Sequence, residues 1–149
     1  MVVKVFIQNE AGSDQKQHHD EKTLEWRRAV TVSRAYPFPY GFIVGTTADD
    51  GCNVDCFVLT TQPLRTGDVV DCEVVGLMEQ FEDGHTDHNV LVTVTGEPMT
   101  VTTAIQTTLT DFVQHVFDHI EGKQIRVGRF LGSEPAMVHV AVHSDSVDA

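Results

Sequence analysis

Between Phe42 and Thr95 the sequence alternates short β-rich runs with turns: Phe57-Val58-Leu59-Thr60, then Gly67-Asp68 before Val69 to Met78, then Glu82-Asp83-Gly84, then Asn89 to Thr95. Many short strands at this spacing confine the chain to a barrel or a sandwich. Upstream, Val2 to Ile7 reads as a strand closed by the turn residues Asn9 to Ser13, and the polar stretch Asp14 to Lys22 reads as a hairpin connection. Leu24 to Trp26 and Ala29 to Val32 suggest strand again, interrupted by Arg27-Arg28. Pro37 and Pro39 exclude a helix over Tyr36 to Gly41.

One helix is expected, from about Thr103 to His119. Ile105, Leu109, Phe112, Val113 and Val116 recur at helical spacing, Thr103 and Gln106 read as a capping box, and Gly122 stops the run. Its apolar stripe would cover one face of the barrel. Gln124 to Val127 reads as a last strand, Ala136 to Val142 as a further one, and Ser144 to Ala149 as a polar, frayed tail. The 149 residues, 41% hydrophobic and 21% charged, make one folded domain, residues 1–149, without a linker.

The charge balance narrows the partners. With 22 acidic residues against 10 basic and a formal net charge of -12, the chain repels nucleic-acid backbones and anionic membranes, so neither is an expected partner. Cys52, Cys56 and Cys72 are an odd number, and no apolar leader or long apolar run is seen, which points to reduced thiols and a cytoplasmic location. The C-x3-C spacing of Cys52 and Cys56 has no second pair to complete a zinc set.

Two acidic concentrations sit in loops between strands, Asp49 to Asp55 and Glu82 to Asp87. Loops at one end of a barrel converge, and a hard divalent cation with oxygen ligands would make several carboxylates tolerable together. On spacing alone, two acidic turns explain the pattern as well, since Asp and Gly are what turns are made of. The spacing of His115 with His119, and of His85 and His88 around Asp87, also allows a transition-metal site with Cys52; in a chain with 8 histidines such spacings arise by chance.

The run Tyr36-Pro37-Phe38-Pro39-Tyr40-Gly41-Phe42-Ile43, then Asp50-Gly51-Cys52-Asn53-Val54-Asp55, then Pro63-Leu64-Arg65-Thr66-Gly67-Asp68, then Val75-Gly76-Leu77-Met78 with Glu82 to Asp87 behind it, resembles the central block of the family I soluble inorganic pyrophosphatases. Weaker similarity reaches back to the first strand and forward to Gly122-Lys123. The resemblance implies an α+β, mainly β fold: a five-stranded barrel of the oligonucleotide-binding type with one or two helices. It also implies Mg2+-dependent hydrolysis of pyrophosphate, in which carboxylates hold the metals and basic and tyrosine side chains hold the phosphates. A hexamer is the assembly it implies. Residue by residue, Asp50, Asp55, Glu82 and Asp87 match metal ligands, with Asp55 also catalytic. Arg28 and Tyr40 match phosphate-binding and catalytic positions, and Lys16 matches a substrate-binding lysine. Tyr36 matches the motif's first tyrosine and is as well explained as core.

The departures all fall in that site. Cys52 stands at the middle aspartate of the signature and Asn53 at the proline that follows. Gln8 or Phe6 takes the place of the first-strand glutamate, with Glu10 as a displaced substitute, and His18 stands where another glutamate belongs. Asn89 replaces a lysine, and Val116 and Phe117 fall at a tyrosine-lysine pair. A neutral thiol is a poor Mg2+ ligand, and two lost cationic contacts to a tetra-anion cost about 1.5–3 kcal/mol each. Lys4, Arg27, Arg34 and Arg65 would compensate only by pointing inward. The expected activity is therefore a slow diphosphatase or one with a shifted substrate; the alternative is a binding or assembly module that keeps the fold alone.

Overall fold

The computed structural model describes residues 1–146. Nine strands and two helices follow one another as β1 (Val2–Asn9), β2 (Gln15–His19), β3 (Trp26–Thr31), β4 (Tyr40–Ile43), β5 (Asp55–Val58), β6 (Val69–Glu82), β7 (His85–Thr86), β8 (Asn89–Val94), α1 (Thr103–His115), β9 (Ile125–Leu131) and α2 (Ser133–His143). Hydrogen-bonded neighbours run β1-β4-β5-β8-β6, and β6 returns to β1, so five strands close into a barrel. All pairs around it are antiparallel except β5 with β8. β6 extends past the barrel to pair β7 and β9, and β2 with β3 forms a separate two-stranded sheet.

Alternation along the strands sorts the core into two clusters, because successive side chains of a strand leave it on opposite faces. Val5, Ile43, Val58, Val74 and Val92, one from each barrel strand, pack with Ala136 and Val140 of α2. On the other face Phe57, Met78 and Leu91 pack with Leu109, Phe112 and Val113 of α1. β1 and β4 approach so closely that a Cβ on Gly41 would lie 1.9 Å from the Phe6 carbonyl oxygen. The motif glycine is thus a requirement of barrel packing.

Several local readings change. Gln15 to His19 is a strand rather than a connection, and Arg27-Arg28 do not interrupt β3. That strand is exposed along its length, so its charged side chains stay in water while the backbone pairs with β2. The helix cap is Thr102, whose hydroxyl accepts from the Ile105 N–H, one residue before the expected box. α1 ends at His115, and Phe117 to Ile120 continue as turns. Ala136 to Val142 is helical, not a strand. Its valines are β-branched, but Pro135 lies in the first turn, where a missing N–H costs nothing, and burial of Ala136 and Val140 one turn apart decides the outcome. Of the tail expected to fray, Ser144 bridges Thr46 and the Asp145 N–H donates to Gly45 O; 147–149 lie outside the described residues. Among the described residues no helix is long and apolar enough to cross a membrane.

Candidate active site

A cavity of about 230 Å³ opens at one end of the barrel, between the β2–β3 sheet, the loops before β5 and β8, and α1. Asp50, Asp55, Glu82 and Asp87 all line it, brought from the turn before β5, the start of β5, the end of β6 and the turn before β8. Lys16 and His18 enter from β2, and Tyr36 and Tyr40 from the proline-rich segment and β4. Apolar side chains form the opposite wall: Phe112, Val113, Val116 and Phe117 from α1 and the turn after it.

The carboxylates are crowded beyond what the nearby cations offset. Burial and then the neighbouring Asp87 charge push the Asp55 carboxyl well above the usual range, with Lys16 opposing. The Tyr40 hydroxyl meets the same carboxylate. Burial, then Glu82 and Asp50, raise Asp87 to about 6. Glu82 is held by Lys123 at 2.6 Å, and the Lys123 ammonium lies 4.4 Å from the Phe117 ring centroid. Lys16 lies 4.9 Å from the same centroid, so one aromatic ring meets two cations. Hard oxygen donors with too few cations among them fit a hard divalent metal. Among the described residues no three of these side chains are already placed to hold one ion.

The expected residues are not all at the cavity. Arg28 sits on exposed β3, opposite His18 in register, and does not line it. Tyr36 is 3% exposed and packs on Tyr40 and Phe112, with ring centroids 5.5 and 4.6 Å away. Of the four cations that could have pointed inward, Lys4, Arg27 and Arg34 make exposed ion pairs with Asp71, Asp20 and Asp111. The spacing-based histidine set does not assemble: His115 pairs with Asp118, and the His119 ring meets Ser33.

The family model described as inorganic pyrophosphatase matches residues 5–141. The chain belongs to the inorganic pyrophosphatase family. An inorganic pyrophosphatase of Ralstonia nicotianae is 32% identical to this pyrophosphatase-family chain over 97% of its length and 86% of the relative's. One from Halalkalibacterium halodurans is 28% identical over 91% of this chain and 88% of its own. A crystal structure of an inorganic pyrophosphatase from Neisseria gonorrhoeae superposes with a TM-score of 0.87 at 23% identity, covering 95% of this chain and 88% of that one, and shows the shared fold. The five-stranded barrel with its helices is thus the pyrophosphatase fold, and the family's activity depends on metal.

Within that fold Gln8, His18, Cys52, Asn89, Val116 and Phe117 line the cavity, and Asn53 does not. Gln8, not Phe6, occupies its first-strand side, while Phe6 stacks on Phe42. Glu10 is spent on the Thr66 N–H. Asn89 and Gln80 form a buried amide pair, Nδ2 donating to Oε1 at 2.5 Å, with Asn89 Oδ1 left unpartnered. Burial, Glu21 and Asp50 push the Cys52 thiol up to about 11, so it is protonated at neutral pH in the metal-free chain. The residue that sequence reasoning missed is Glu21, in the turn after β2. It lines the cavity and accepts the Asn53 N–H at 3.0 Å. Nothing in its polar surroundings Asp20 to Thr23 marks it out in sequence.

Proposed function

We propose that this chain hydrolyses pyrophosphate to two phosphates, with Mg2+ held by Asp50, Asp55, Glu82 and Asp87. The observation that carries the reading is the meeting of these four carboxylates with Lys16 and Tyr40 in one cavity. Bound divalent cations supply an acidified water and spread the charge of the transferring phosphate. Around them, the Lys16 ammonium holds a phosphate oxygen at the cavity wall. Tyr40, kept protonated by burial and by Asp55, would turn its one O–H from Asp55 to a phosphate oxygen when substrate is bound. Asp55, ionised when cations offset its neighbours, would take the proton that the attacking water loses as its oxygen bonds to phosphorus, and the departing phosphate would then carry that proton away. Arg28, on exposed β3 opposite His18 and outside the cavity lining, is given no step here. The apolar wall of Phe112, Val113 and Val116 limits solvent at the reacting end.

The finer readings extend from the resemblance: one domain over residues 1–149, a cytoplasmic location and a hexameric assembly, the last checked by sedimentation velocity of the purified chain. The test of function is phosphate release from pyrophosphate in Mg2+, against Asp55→Asn. That variant puts a neutral amide of the same shape where burial already drives the carboxyl toward its neutral form, and the expected loss is at least hundredfold in kcat. Phosphate release equal in the two proteins, or absent in both, overturns the reading.

A further inference from the structure

Asn53 and Cys52 look like two separate losses, but Glu21 makes them one arrangement. A proline at position 53 has no N–H; Asn53 has one, and it holds Glu21 Oε1 at 3.0 Å. The Asn53 side chain also accepts from Lys22 Nζ at 2.7 Å, and the same ammonium donates to Thr46 O at 2.8 Å and Thr47 Oγ1 at 2.9 Å. Asp20 fastens the start of this turn, its carboxylate accepting from the Lys22 and Thr23 N–H groups at 3.0 and 2.9 Å. The turn after β2 is therefore stitched to the turn before β5 at both residues 21 and 22. The Glu21 carboxylate stands in the cavity against Cys52, facing Asp50.

We propose that Glu21 supplies, from the turn after β2, the carboxylate that position 52 lacks, and so is a metal-ligating catalytic residue of this chain. The inference rests on the proposed metal-dependent reading of the cavity, but its test is separable from the substrate. The Asn53 N–H fixes one carboxylate oxygen and thereby orients the other, as hydrogen bonds to ligating carboxylates do. Two carboxylates on adjoining turns, Glu21 and Asp50, can then share a cation with Asp55 at the cavity floor.

The experiment uses the full chain as wild type, Glu21→Gln, Cys52→Asp and the double variant, with Glu25→Gln as a surface control. Mg2+ binding is titrated calorimetrically without substrate, alongside phosphate release. Glu21→Gln is expected to weaken Mg2+ binding at least tenfold and lower kcat at least hundredfold, while Glu25→Gln changes neither. Cys52→Asp placed in the Glu21→Gln background is expected to recover at least tenfold in both. Wild-type Mg2+ affinity in Glu21→Gln, or no recovery in a double variant that unfolds at the wild-type temperature in EDTA, overturns the inference. If Glu21→Gln fails to fold, Glu21→Asp, one methylene shorter with its charge kept, takes its place, and unchanged Mg2+ affinity there overturns it equally. Mg2+ binding that responds in this way in a protein inactive on pyrophosphate would sink the substrate reading and leave Glu21 in place.

Discussion

Asp87 binds its proton more tightly in the folded chain than in water, at about 6, because burial and the charges of Glu82 and Asp50 disfavour its ionised form. A carboxyl whose folded pKa lies above its unfolded value contributes stability in full below the unfolded pKa, near 4, and loses it as pH rises through the folded one. Metal-free wild type should therefore lose stability between about pH 4 and 7 relative to Asp87→Asn, which also relieves the Asp55 carboxyl of its Asp87 neighbour. His18 and His139 are shifted down and act in the opposite sense, which is why the comparison is with a variant carrying the same histidines. Urea unfolding of both proteins in EDTA across that range measures it; parallel curves would refute the crowding. Asp50, Asp55, Glu82 and Asp87 were legible in the sequence as acidic turns, and only resemblance singled out those turns as one site. Lys16 and Tyr40 were found the same way. Glu21 was not, since its place depends on a hydrogen bond from Asn53, far along the chain, and no spacing announces such a contact.

Secondary elements were legible where burial has a period or where β-branched residues run together. β6 and α1 carry apolar periods that tertiary packing reinforces, while β1 and β8 are buried over most of their length and read as strands from their valines. β2 is half-buried throughout and β3 exposed throughout, so neither has a period to read. In α2 the valines favour strand, and only packing against β6 and β8 overrides them. Gly41 sits where β1 and β4 leave no space, its added Cβ meeting a backbone carbonyl that no rotamer change can move. Gly41→Ala should cost at least about 3 kcal/mol, read as a lowered urea midpoint at unchanged slope. Gly12→Ala, where no atom lies within 4 Å but φ is +84°, should cost less, on the order of 1 kcal/mol.

At the scale of the molecule, metal and fold are linked. A cation that binds the folded cavity and not the unfolded chain stabilises by mass action, about 2.7 kcal/mol at a hundredfold excess over Kd. Differential scanning calorimetry should show the melting temperature climbing with Mg2+ in wild type and much less in Asp55→Asn. Equal shifts in both would mean that the cation acts elsewhere. The barrel seam has a further consequence, in the order of events as the chain is made. Val2 to Phe6 pairs with Glu73 to Val69, so the first strand cannot be enclosed until β6 has been synthesised. Until then the nascent chain carries an apolar strand with open hydrogen-bonding edges, and closing it spans a long sequence separation, which slows folding. The interval between the synthesis of β1 and that of β6 is when this protein is most exposed to pairing with a neighbour.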